Sequence, residues 1–583
     1  MSPLEPNWKR RRLRAPREEG EVLAIPPLAD MPATIAQNRE QIAQWNVPVL
    51  GRPLADLRRL AREEALTAAK RFTHQPDAPA RDSLTRRASL DVPLIVGGHQ
   101  PELFHPGVWA KNFVLDGLTK ATGGIGLHLI VDNDAITSTS IAVPVGSREQ
   151  PRIEHIPFDT DAGSMPWEEA RLRDESLFRS FPDRVAAALS CWPIEPMLSV
   201  LWPAAIALLP SVSEQPRPRL VDLLTVVRRE AEQRAGLSHL ELPISQLCET
   251  ESFAWFVCSL LSDPRRTHTI YNEVVAEYRR VNRVRNRQRP VPDLSIHADG
   301  DWLEFPFWVW QPGDSQRGRL FVRATTNEIQ LANGESIITS LPLPMSGAAE
   351  SAVAQLRALS SRGWKLRPRA LTTTLFARVL LADAFLHGIG GAKYDEMTDR
   401  LIARLFGVAP PNYLTVTATH RLPLSSWNVT PSDVAALNHR LWDFDHNPER
   451  FIATDRRTES VSPLVTYSSE ITGGLTLPVR LEFTALLTEK HRLIAEQQTQ
   501  DTLDRHDPRR ASHAENDQRR RRLRAINRHL ATLASETRSA LTADLQVAEN
   551  HLAANAVLRS REYSFCLFSN ADDVSRRVAG GAR

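Results

Sequence analysis

The sequence predicts an α/β protein that is built on a parallel β-sheet, carries helical and hairpin insertions, and ends in an antiparallel coiled coil. The first observation is that two apolar runs, LIVGG and GLHLIVDNDAI, flank the helix-like segment VWAKNFVLDGLTKA, as in a β-α-β unit. Such crossovers join parallel strands, which are usually buried on both faces. The second is a run of apolar residues at coiled-coil spacing near the carboxyl end, namely Leu523, Ile526, Leu530 and Leu533.

The composition indicates a globular protein without a membrane partner. The chain has 583 residues, of which 42% are hydrophobic, so it can bury a large core. No apolar run approaches the roughly 18 residues that span a bilayer, and the basic start of the chain lacks the hydrophobic stretch of a signal peptide. Four scattered cysteines without CxxC pairs disfavour a disulfide framework or a thiolate zinc site. We therefore expect a cytoplasmic protein.

Two basic clusters leave a nucleic-acid partner as an alternative. One lies at the start of the chain, and the other is Arg519–Arg522 in the coiled-coil region. Terminal segments are often solvated tails, and charged helix faces are normal beside a coiled coil. We interpret both clusters as solvated surface and do not expect a nucleic-acid partner.

Changes in composition along the chain predict seven segments. Proline clusters punctuate the helical region, and alternating aromatic residues around Pro312-Gly313-Asp314 predict a β-hairpin. The segments are 1–90 (tail and helices), 91–165 (first half of the core), 166–295 (helical insertion), 296–345 (β-hairpin insertion), 346–480 (second half of the core), 481–556 (coiled coil) and 557–583 (carboxyl-terminal segment).

The stretch VGGHQPELFHPG, at the end of the first predicted strand, carries more polar residues than a turn requires. Parallel sheets bind ligands beyond the carboxyl ends of their strands, and the next helix directs its positive dipole end there. The glycines would admit an anion such as phosphate or carboxylate, the histidines would donate to it, the glutamine would read an amide or hydroxyl, and the lysine would add charge. The alternative is that these residues only shape a tight turn. The candidates are Gly97, Gly98, His99, Gln100, His105 and Lys111.

Two further stretches are candidates. Asp132 and Asp134 end the second predicted strand, where they would bind ribose hydroxyls, a substrate amine or a divalent cation, or would merely cap a helix. A later glycine pair opens another helix and would form a second anion site, or only a structural loop. The residues of this third stretch are Arg367, His387, Gly390, Gly391 and Tyr394. The chain lacks GxSxG and HExxH elements, which disfavours a hydrolase or a zinc peptidase.

The order of these stretches resembles the cysteine-adding enzymes of bacillithiol biosynthesis, the BshC family. The likeness is strongest in KLRPRALTTTLFARVLLADAFLHGIGGAKYDEMTDRLIARLFGVAPPN, and the aromatic hairpin EFPFWVWQPGDSQRGRLFVR and the closing VLRSREYSFCLF come in matching order. It covers about residues 90 to 570. The glycine turn reads Gly-His-Gln-Pro where the family more often has Thr-Gly-Gln-Gln, and the strand end reads Val-Asp-Asn-Asp where the family has a Glu-Asp-His-Asp type of run. The HQP turn is also similar to WbqC-like proteins over a shorter stretch.

The resemblance implies a Rossmann-like, nucleotidylyltransferase-like core and a coiled coil that supports a homodimer. It also implies a ligase that joins a cysteine-like carboxylate to the amine of an amino-sugar conjugate, in the synthesis of a low-molecular-weight thiol. ATP or another adenine nucleotide would activate the carboxylate, and no residue is assigned to a metal. The alternatives are a nucleotidyltransferase acting on a sugar or lipid precursor, and a non-catalytic coiled-coil scaffold with a relic pocket. Residues that fall on the family's motifs are Gln100, Lys111, Asp132, Asp134, Arg367, Gly390, Gly391 and Tyr394.

Overall fold

The structure is a computed structural model that divides the chain into two compact units. The first unit comprises Met1–Val145, Ile153–Pro423 and Arg561–Arg583, and the second comprises Gly146–Arg152 and Leu424–Ser560. The described residues are 8, 13–73, 91–161, 163–210, 217–289, 291–297, 300–314, 316–334, 336–344, 348–451, 477–502 and 511–571.

A six-stranded, mostly parallel sheet lies in the first unit. The strands among the described residues are β1 (Val22–Ile25), β2 (Pro48–Val49), β3 (Arg52–Pro53), β4 (Leu94–His99), β5 (Ile125–Ile130), β6 (Ser140–Gly146), β7 (Pro151–Pro157), β8 (Leu240–Pro243), β9 (Leu303–Trp310), β10 (Gly318–Ala324), β11 (Glu328–Ala332), β12 (Ile337–Pro342), β13 (Lys365–Pro368), β14 (Ala384–His387) and β15 (Leu414–Ala418). The sheet has the order β1-β15-β14-β4-β5-β8, and only β1 runs antiparallel to its neighbour. The strands that follow β4 along the chain lie on both sides of it, so the strand order reverses between β4 and β14.

The helices among the described residues connect and cover these strands. They are α1 (Met31–Ala43), α2 (Leu54–Thr73), α3 (Pro106–Thr122), α4 (Glu175–Arg179), α5 (Phe181–Ala188), α6 (Leu198–Ile206), α7 (Leu220–Arg234), α8 (Ile244–Leu247), α9 (Glu251–Leu261), α10 (Pro264–Asn282), α11 (Ala349–Ser361), α12 (Ala370–Phe376), α13 (Ile389–Leu401), α14 (Pro431–His446), α15 (Leu477–Asp501), α16 (His513–Leu533) and α17 (Ser535–Leu558). Single π-helical turns extend α12 and α13, over Ala377–Leu381 and Ile402–Phe406. No helix within the described ranges is both long and apolar enough to cross a bilayer.

The predicted β-α-β unit is confirmed as β4, α3 and β5, with β4 and β5 parallel over six residue pairs. Local sequence sets the ends of α3, because Pro106 occupies its first turn, where a missing N–H costs nothing. Gly123 ends the helix with φ of 64°, a conformation that glycine adopts without strain. The carboxyl end of β4 and the amino end of α3 therefore meet at one edge of the sheet.

Two strands of this sheet lie in stretches that the sequence predicts as helical. The strand β1 falls within residues 1–90, and β8 falls within residues 166–295. Each has four residues and pairs at an edge of the sheet, β1 with β15 and β8 with β5. Such short strands carry little periodicity of their own, so their state depends on the neighbour with which they pair.

A second sheet is antiparallel and curls into a half-barrel, with the order β12-β11-β10-β9-β13. The hairpin predicted at Pro312-Gly313-Asp314 is the turn between β9 and β10. The structure extends this hairpin by two further strands and by β13, which pairs with β9 after α11. Residues 349–368, predicted as core, thus belong to the antiparallel sheet and its covering helix.

The carboxyl-terminal helices form the second unit. Helix α16 begins with a capping box, in which Ser512 and Glu515 each bond the other's backbone N–H. Helices α15 and α16 run antiparallel, because Glu482 pairs with His529 while Glu489 pairs with Arg522. The predicted apolar residues lie at this contact, where Ile526 and Leu530 are buried with Phe483 and Leu493, and Leu523 and Leu533 pack beside them. Helices α14 and α17 also pack together, around Phe444, Ala534 and Leu541.

Candidate active site

A cavity of about 360 Å³ opens at the carboxyl end of β4, within the first unit. Its walls come from the β4–α3 turn, from β6 and the residues before it, from Phe158 and Trp167, and from the carboxyl-terminal segment. The lining residues are His99, Glu102, Leu103, Phe104, His105, Val108, Thr137, Ser138, Ser140, Ile141, Ala142, Phe158, Trp167, Glu562 and Ser564. Histidines, carboxylates and hydroxyls thus face one space with an aromatic wall, a combination typical of ligand sites.

His99, the last residue of β4, is held as a neutral ring with a defined tautomer. Its Nδ1 lies 3.3 Å from the backbone carbonyl oxygen of Gln100, which can only accept, so Nδ1 carries the hydrogen. Burial, and to a smaller extent the nearby Lys111 ammonium, lowers the pKa of His99 to about 3. The edge of the Phe104 ring faces it at 5.1 Å between ring centres. His99 therefore presents Nε2 as a hydrogen-bond acceptor.

His105 has the opposite tautomer. It is the N-cap of α3, and its Nδ1 accepts the backbone N–H of Gly107 at 3.1 Å. Burial lowers the pKa of His105 to about 4, although the Glu562 carboxylate acts in the opposite direction. The neutral ring then carries its hydrogen on Nε2, which lies 3.4 Å from Oε2 of Glu562. The two histidines thus give the cavity one acceptor and one donor.

Lys111 stands behind the histidines without a carboxylate partner among the described residues. Its Nζ donates to the backbone oxygen of Gly98 at 2.8 Å, and the residue is 5% exposed. Burial lowers the pKa of Lys111 to about 8, so it remains mostly protonated at pH 7. This ammonium lowers the pKa of both cavity histidines. An anion in the cavity would offset the uncompensated positive charge.

The predicted glycines serve the sheet rather than a phosphate loop. Gly98 lies inside β4, where a Cβ atom would come within 2.6 Å of the backbone oxygen of Leu129 in β5. Gly97 makes ordinary contacts with Leu386 of β14. The N–H of Gly107, in the first turn of α3, is already taken by His105. The glycines therefore allow neighbouring strands to pack closely, and contacts with a ligand would come from side chains.

Glu102 and a row of hydroxyls form the polar wall of the cavity. Oγ1 of Thr137 donates to Oε1 of Glu102 at 3.1 Å, and Ser138 and Ser140 bond each other beside it. Burial raises the pKa of Glu102, and the Asp134 charge adds to this effect. Trp167, another lining residue, is fully buried, and its Nε1 has no hydrogen-bond partner among the described residues. Glu102 and this indole N–H are groups that sequence reasoning missed.

Gln100 and Asp134 meet at the same sheet edge but do not line the cavity. Nε2 of Gln100 donates to Oδ2 of Asp134 at 3.0 Å, and Arg317 pairs with Oδ1 at 2.9 Å. This contact ties the ends of β4 and β5 together. Gln100 and Arg317 are thus side-chain partners of Asp134 in the structure.

Asp132 and Arg367 lie in a buried cluster away from the cavity. Asp132 accepts hydrogen bonds from the N–H and hydroxyl of Ser245, at the start of α8. Burial, together with the neighbouring Glu168 carboxylate, raises the pKa of Asp132 to about 7. Arg367 bonds Glu168 at 2.9 and 3.1 Å and reaches Glu249 at 3.1 Å. These groups satisfy one another beneath the surface.

His387 belongs to a third cluster, at the end of β14. Its Nε2 lies 2.8 Å from Oδ2 of Asp395, which also accepts from the buried Arg378 at 2.8 Å. Gly391, in the first turn of α13, must lack a side chain because a Cβ there would be 2.6 Å from Nδ1 of His387. Gly390 faces open space, and Tyr394 packs half-buried against the main core. The predicted residues therefore occupy three clusters instead of one crevice.

One group of side chains has the composition of a metal site. Glu232, His239 and Glu241 are buried with their ligand atoms within 4.8 Å of one another. Arg228 bonds both carboxylates, and Arg229 also pairs with Glu241. Asn112 and Trp109 fill the remaining oxygen of Glu232, at 2.6 and 2.9 Å. Because donors already occupy the carboxylate oxygens, the group is a closed ion-pair network that a cation would have to break.

A larger hollow, of about 640 Å³, lies on the antiparallel sheet. Its lining holds one carboxylate, Glu328, and no histidine or basic side chain. The cavity beside β4 is therefore the better candidate, because it combines buried titratable groups with the edge where strand order reverses.

Glu562, Ser564 and Thr137 also escaped sequence reasoning, because they are distant along the chain from the predicted stretch. Glu562 and Ser564 belong to the closing stretch VLRSREYSFCLF, and Thr137 follows the acidic strand end. One feature of the sequence could have indicated this segment. The charged pair Arg561-Glu562 comes directly before a mostly apolar run, as expected where a segment enters the core and its charged residues stay near the surface.

In comparisons with known proteins, neither a family model nor a curated protein matches the chain.

Proposed function

We propose that the cavity beside β4 is the active site of a carbon–nitrogen ligase, on a core that resembles the Rossmann-like BshC enzymes. The ligase would join a cysteine-like carboxylate to the amine of an amino-sugar conjugate. The observation that carries the proposal is the pair of neutral histidines with opposite tautomers, beside a buried lysine without a carboxylate partner among the described residues. Such a site fits a carboxylate on its donor side and an amine on its acceptor side.

Amide formation requires a neutral amine and an activated acyl group. Nε2 of His99 would accept a hydrogen bond from the amine and direct its lone pair toward the acyl carbon. Glu102 would take the proton that the amine loses, because its raised pKa makes it a stronger base than an ordinary carboxylate. His105 and the charge of Lys111 would stabilise negative charge on the carboxylate side. Adenylation by ATP would supply the activated acyl group.

The antiparallel helices α15 and α16 support a second part of the proposal. Their apolar contact and cross-helix ion pairs are typical of an antiparallel coiled coil. As the resemblance of the sequence implies, we propose that this coiled coil joins two copies of the chain in a homodimer.

The test is product formation by the purified chain with ATP, cysteine and an amino-sugar conjugate. We expect an amide product together with AMP and pyrophosphate, because the amine displaces AMP from the acyl adenylate. Glu102→Gln should lower the turnover rate by about 100-fold or more, as loss of a catalytic base does, and leave the circular dichroism spectrum unchanged. Glu154→Gln, which changes an exposed residue of β7, is the matched control and should keep full activity.

The alternatives give different outcomes in the same assay. Pyrophosphate release that needs a sugar phosphate instead of an amino acid would indicate a nucleotidyltransferase. A folded protein that neither turns over nor binds nucleotide by calorimetry would indicate a scaffold. Comparison of low-molecular-weight thiols in cells with and without the chain, complemented by wild type or Glu102→Gln, extends the test to the natural substrate.

A further inference from the structure

The run of arginines Arg519–Arg522 in α16 divides into two sets in the structure. Two of its members face α15: Arg519 lies 3.8 Å from a carboxylate oxygen of Glu496, and Arg522 bonds both carboxylate oxygens of Glu489, at 2.7 and 2.8 Å. Such pairs between helices are normal beside a coiled coil. They explain these two arginines and leave the other two without this role.

Four other arginines form a stripe on the far side of α16. All four are exposed, and within the described part of the chain none of them pairs with a carboxylate. Each residue of an α-helix turns by about 100°, so these side chains share a sector of about 100°, roughly opposite to the buried Ile526 and Leu530. The members of this arginine stripe are Arg520, Arg521, Arg524 and Arg528.

Among the described residues, acidic side chains leave most of the charge of the arginine stripe uncompensated. Helix α14 contacts α16, but its Asp443 and Asp445 already pair with arginines outside the stripe. Glu449, which follows α14, pairs with Lys490 of α15. Asp517 lies on the same side of α16 about one turn before the stripe, and it adds one negative charge. Because the whole chain has a formal net charge of +3, the stripe is a local concentration of positive charge.

The arginine stripe suits the phosphates of a nucleic acid better than a membrane surface. A helix that lies on a membrane places an apolar face among the lipids. The apolar side of α16, with Leu523, Ile526 and Leu530, is already packed against α15. Guanidinium groups bind phosphates through two parallel hydrogen bonds, so a row of them on one rigid helix fits a row of phosphates.

The shape of the stripe favours a double-stranded nucleic acid. At about 1.5 Å per residue, the stripe extends about 12 Å along the helix axis. This length matches about three to four phosphates of one strand in a duplex, at about 3.4 Å each. No aromatic residue stands between Arg520 and Arg528, so the stripe lacks the stacking surface with which proteins bind single strands. We therefore expect contacts with the backbone of a duplex, which carry no sequence information of their own.

We propose that the arginine stripe binds the phosphate backbone of a double-stranded nucleic acid, whatever its base sequence. This departs from the expectation drawn from the sequence, which treats Arg519–Arg522 as one solvated cluster. The reason is that the structure separates the arginines that pair with α15 from those that do not. The proposal concerns the second unit, and it does not depend on the reaction proposed for the cavity.

The test measures the binding of the full chain to a short DNA duplex, and to the RNA duplex of the same sequence, by fluorescence anisotropy. With four phosphate contacts, the logarithm of the association constant should fall against the logarithm of the salt concentration with a slope of about −3 to −4. Arg524→Gln should bind about tenfold more weakly at about 50 mM salt and reduce the size of this slope by about one. Arg520→Gln and Arg524→Gln together should reduce it by about two.

The matched control is Arg522→Gln, which removes the same charge from the same helix, but from the pair with Glu489, and should bind as wild type does. Binding of either duplex with these slopes supports the proposal. Equal weakening in Arg522→Gln and Arg524→Gln would mean that net charge alone governs binding, and would overturn it. So would duplex binding that Arg524→Gln leaves unchanged, or no duplex binding at low salt. Tighter binding to vesicles of anionic phospholipid or to polyglutamate than to the duplexes would assign the stripe to another class of partner and would also overturn the proposal.

Discussion

At the scale of single residues, the chemistry of the cavity depends on which ring nitrogen of each histidine carries the hydrogen. His99 and His105 are six positions apart, and backbone groups fix them as acceptor and donor respectively. A sequence can place two histidines at the end of a strand, as it did here. It cannot give their tautomers, because these depend on a carbonyl and an N–H whose directions are set by the folded turn.

Burial of neutral histidines predicts a loss of stability in acid. The pKa values of His99 and His105 fall to about 3 and about 4 from an ordinary value of 6.5, so the unfolded chain binds more protons between these limits. The stabilisation is complete above pH 6.5 and is lost as the pH falls toward 3. When the pH falls from 7.5 to 5.5, the free energy of unfolding should therefore decrease by about 1 kcal/mol less in His99→Gln than in wild type.

Urea denaturation at the two pH values measures this difference. His155→Gln, at an exposed position of β7, controls for the loss of any histidine and should behave as wild type does. An identical pH dependence for wild type and His99→Gln would show that the ring is protonated normally in the folded state.

At the scale of elements, the sequence predicts those that carry strong patterns of their own. The unit from β4 to β5 and the turn between β9 and β10 follow from apolar runs and turn residues. The strands β1 and β8 do not, because each has four residues and is stabilised by pairing with a distant strand. The same reason explains why Asp132 and Arg367 lie in a buried cluster: their partners, Ser245 and Glu168, are far away along the chain.

A buried ion-pair network connects helix α2 to the start of β4. Asp383 bonds Arg58 and Arg62 of α2, at 2.8 and 3.0 Å, and accepts the N–H of Leu94 at 2.8 Å. Burial alone would raise the pKa of Asp383, but the two arginines hold it below its usual value. Asp383→Ala leaves two buried guanidinium groups without their carboxylate and should lower the free energy of unfolding by about 3–5 kcal/mol.

The control for this prediction lies on the same helix. Asp56→Ala removes the exposed partner of Arg59 and should cost no more than about 0.5 kcal/mol in urea denaturation. Similar losses in both variants would mean that the buried network contributes no more than a surface ion pair.

At the scale of the whole molecule, the chain forms two units with separate cores, and the second interrupts the first twice, between Val145 and Ile153 and between Pro423 and Arg561. From the sequence, residues 346–480 are predicted as the second half of the core and residues 481–556 as the coiled coil. In the structure the second unit consists of Gly146–Arg152 and Leu424–Ser560, and α14 belongs to it. The sequence could not fix this boundary, because α14 resembles the core helices in composition and differs only in the helix that it contacts.

Two units with separate cores predict two transitions in calorimetry. Leu530 is fully buried in the contact between α15 and α16. Leu530→Ala would leave a cavity there and should destabilise the second unit by about 2–5 kcal/mol. Asp383→Ala should instead lower the transition of the first unit. Leu481→Ala, at a position 66% exposed on α15, is the control and should leave both transitions in place. A single transition that both variants lower equally would contradict this division.

The late position of Glu562 and Ser564 has a consequence for synthesis on the ribosome. Every other lining residue of the cavity precedes Leu424 in the chain, whereas these two follow Ser560. A nascent chain that has already formed β4, α3 and β5 still leaves Phe104 and Trp109 without the Phe565 ring that packs on them. The lining of the cavity is therefore complete only once translation has passed this segment, and until then the growing polypeptide lacks one ring of this aromatic cluster.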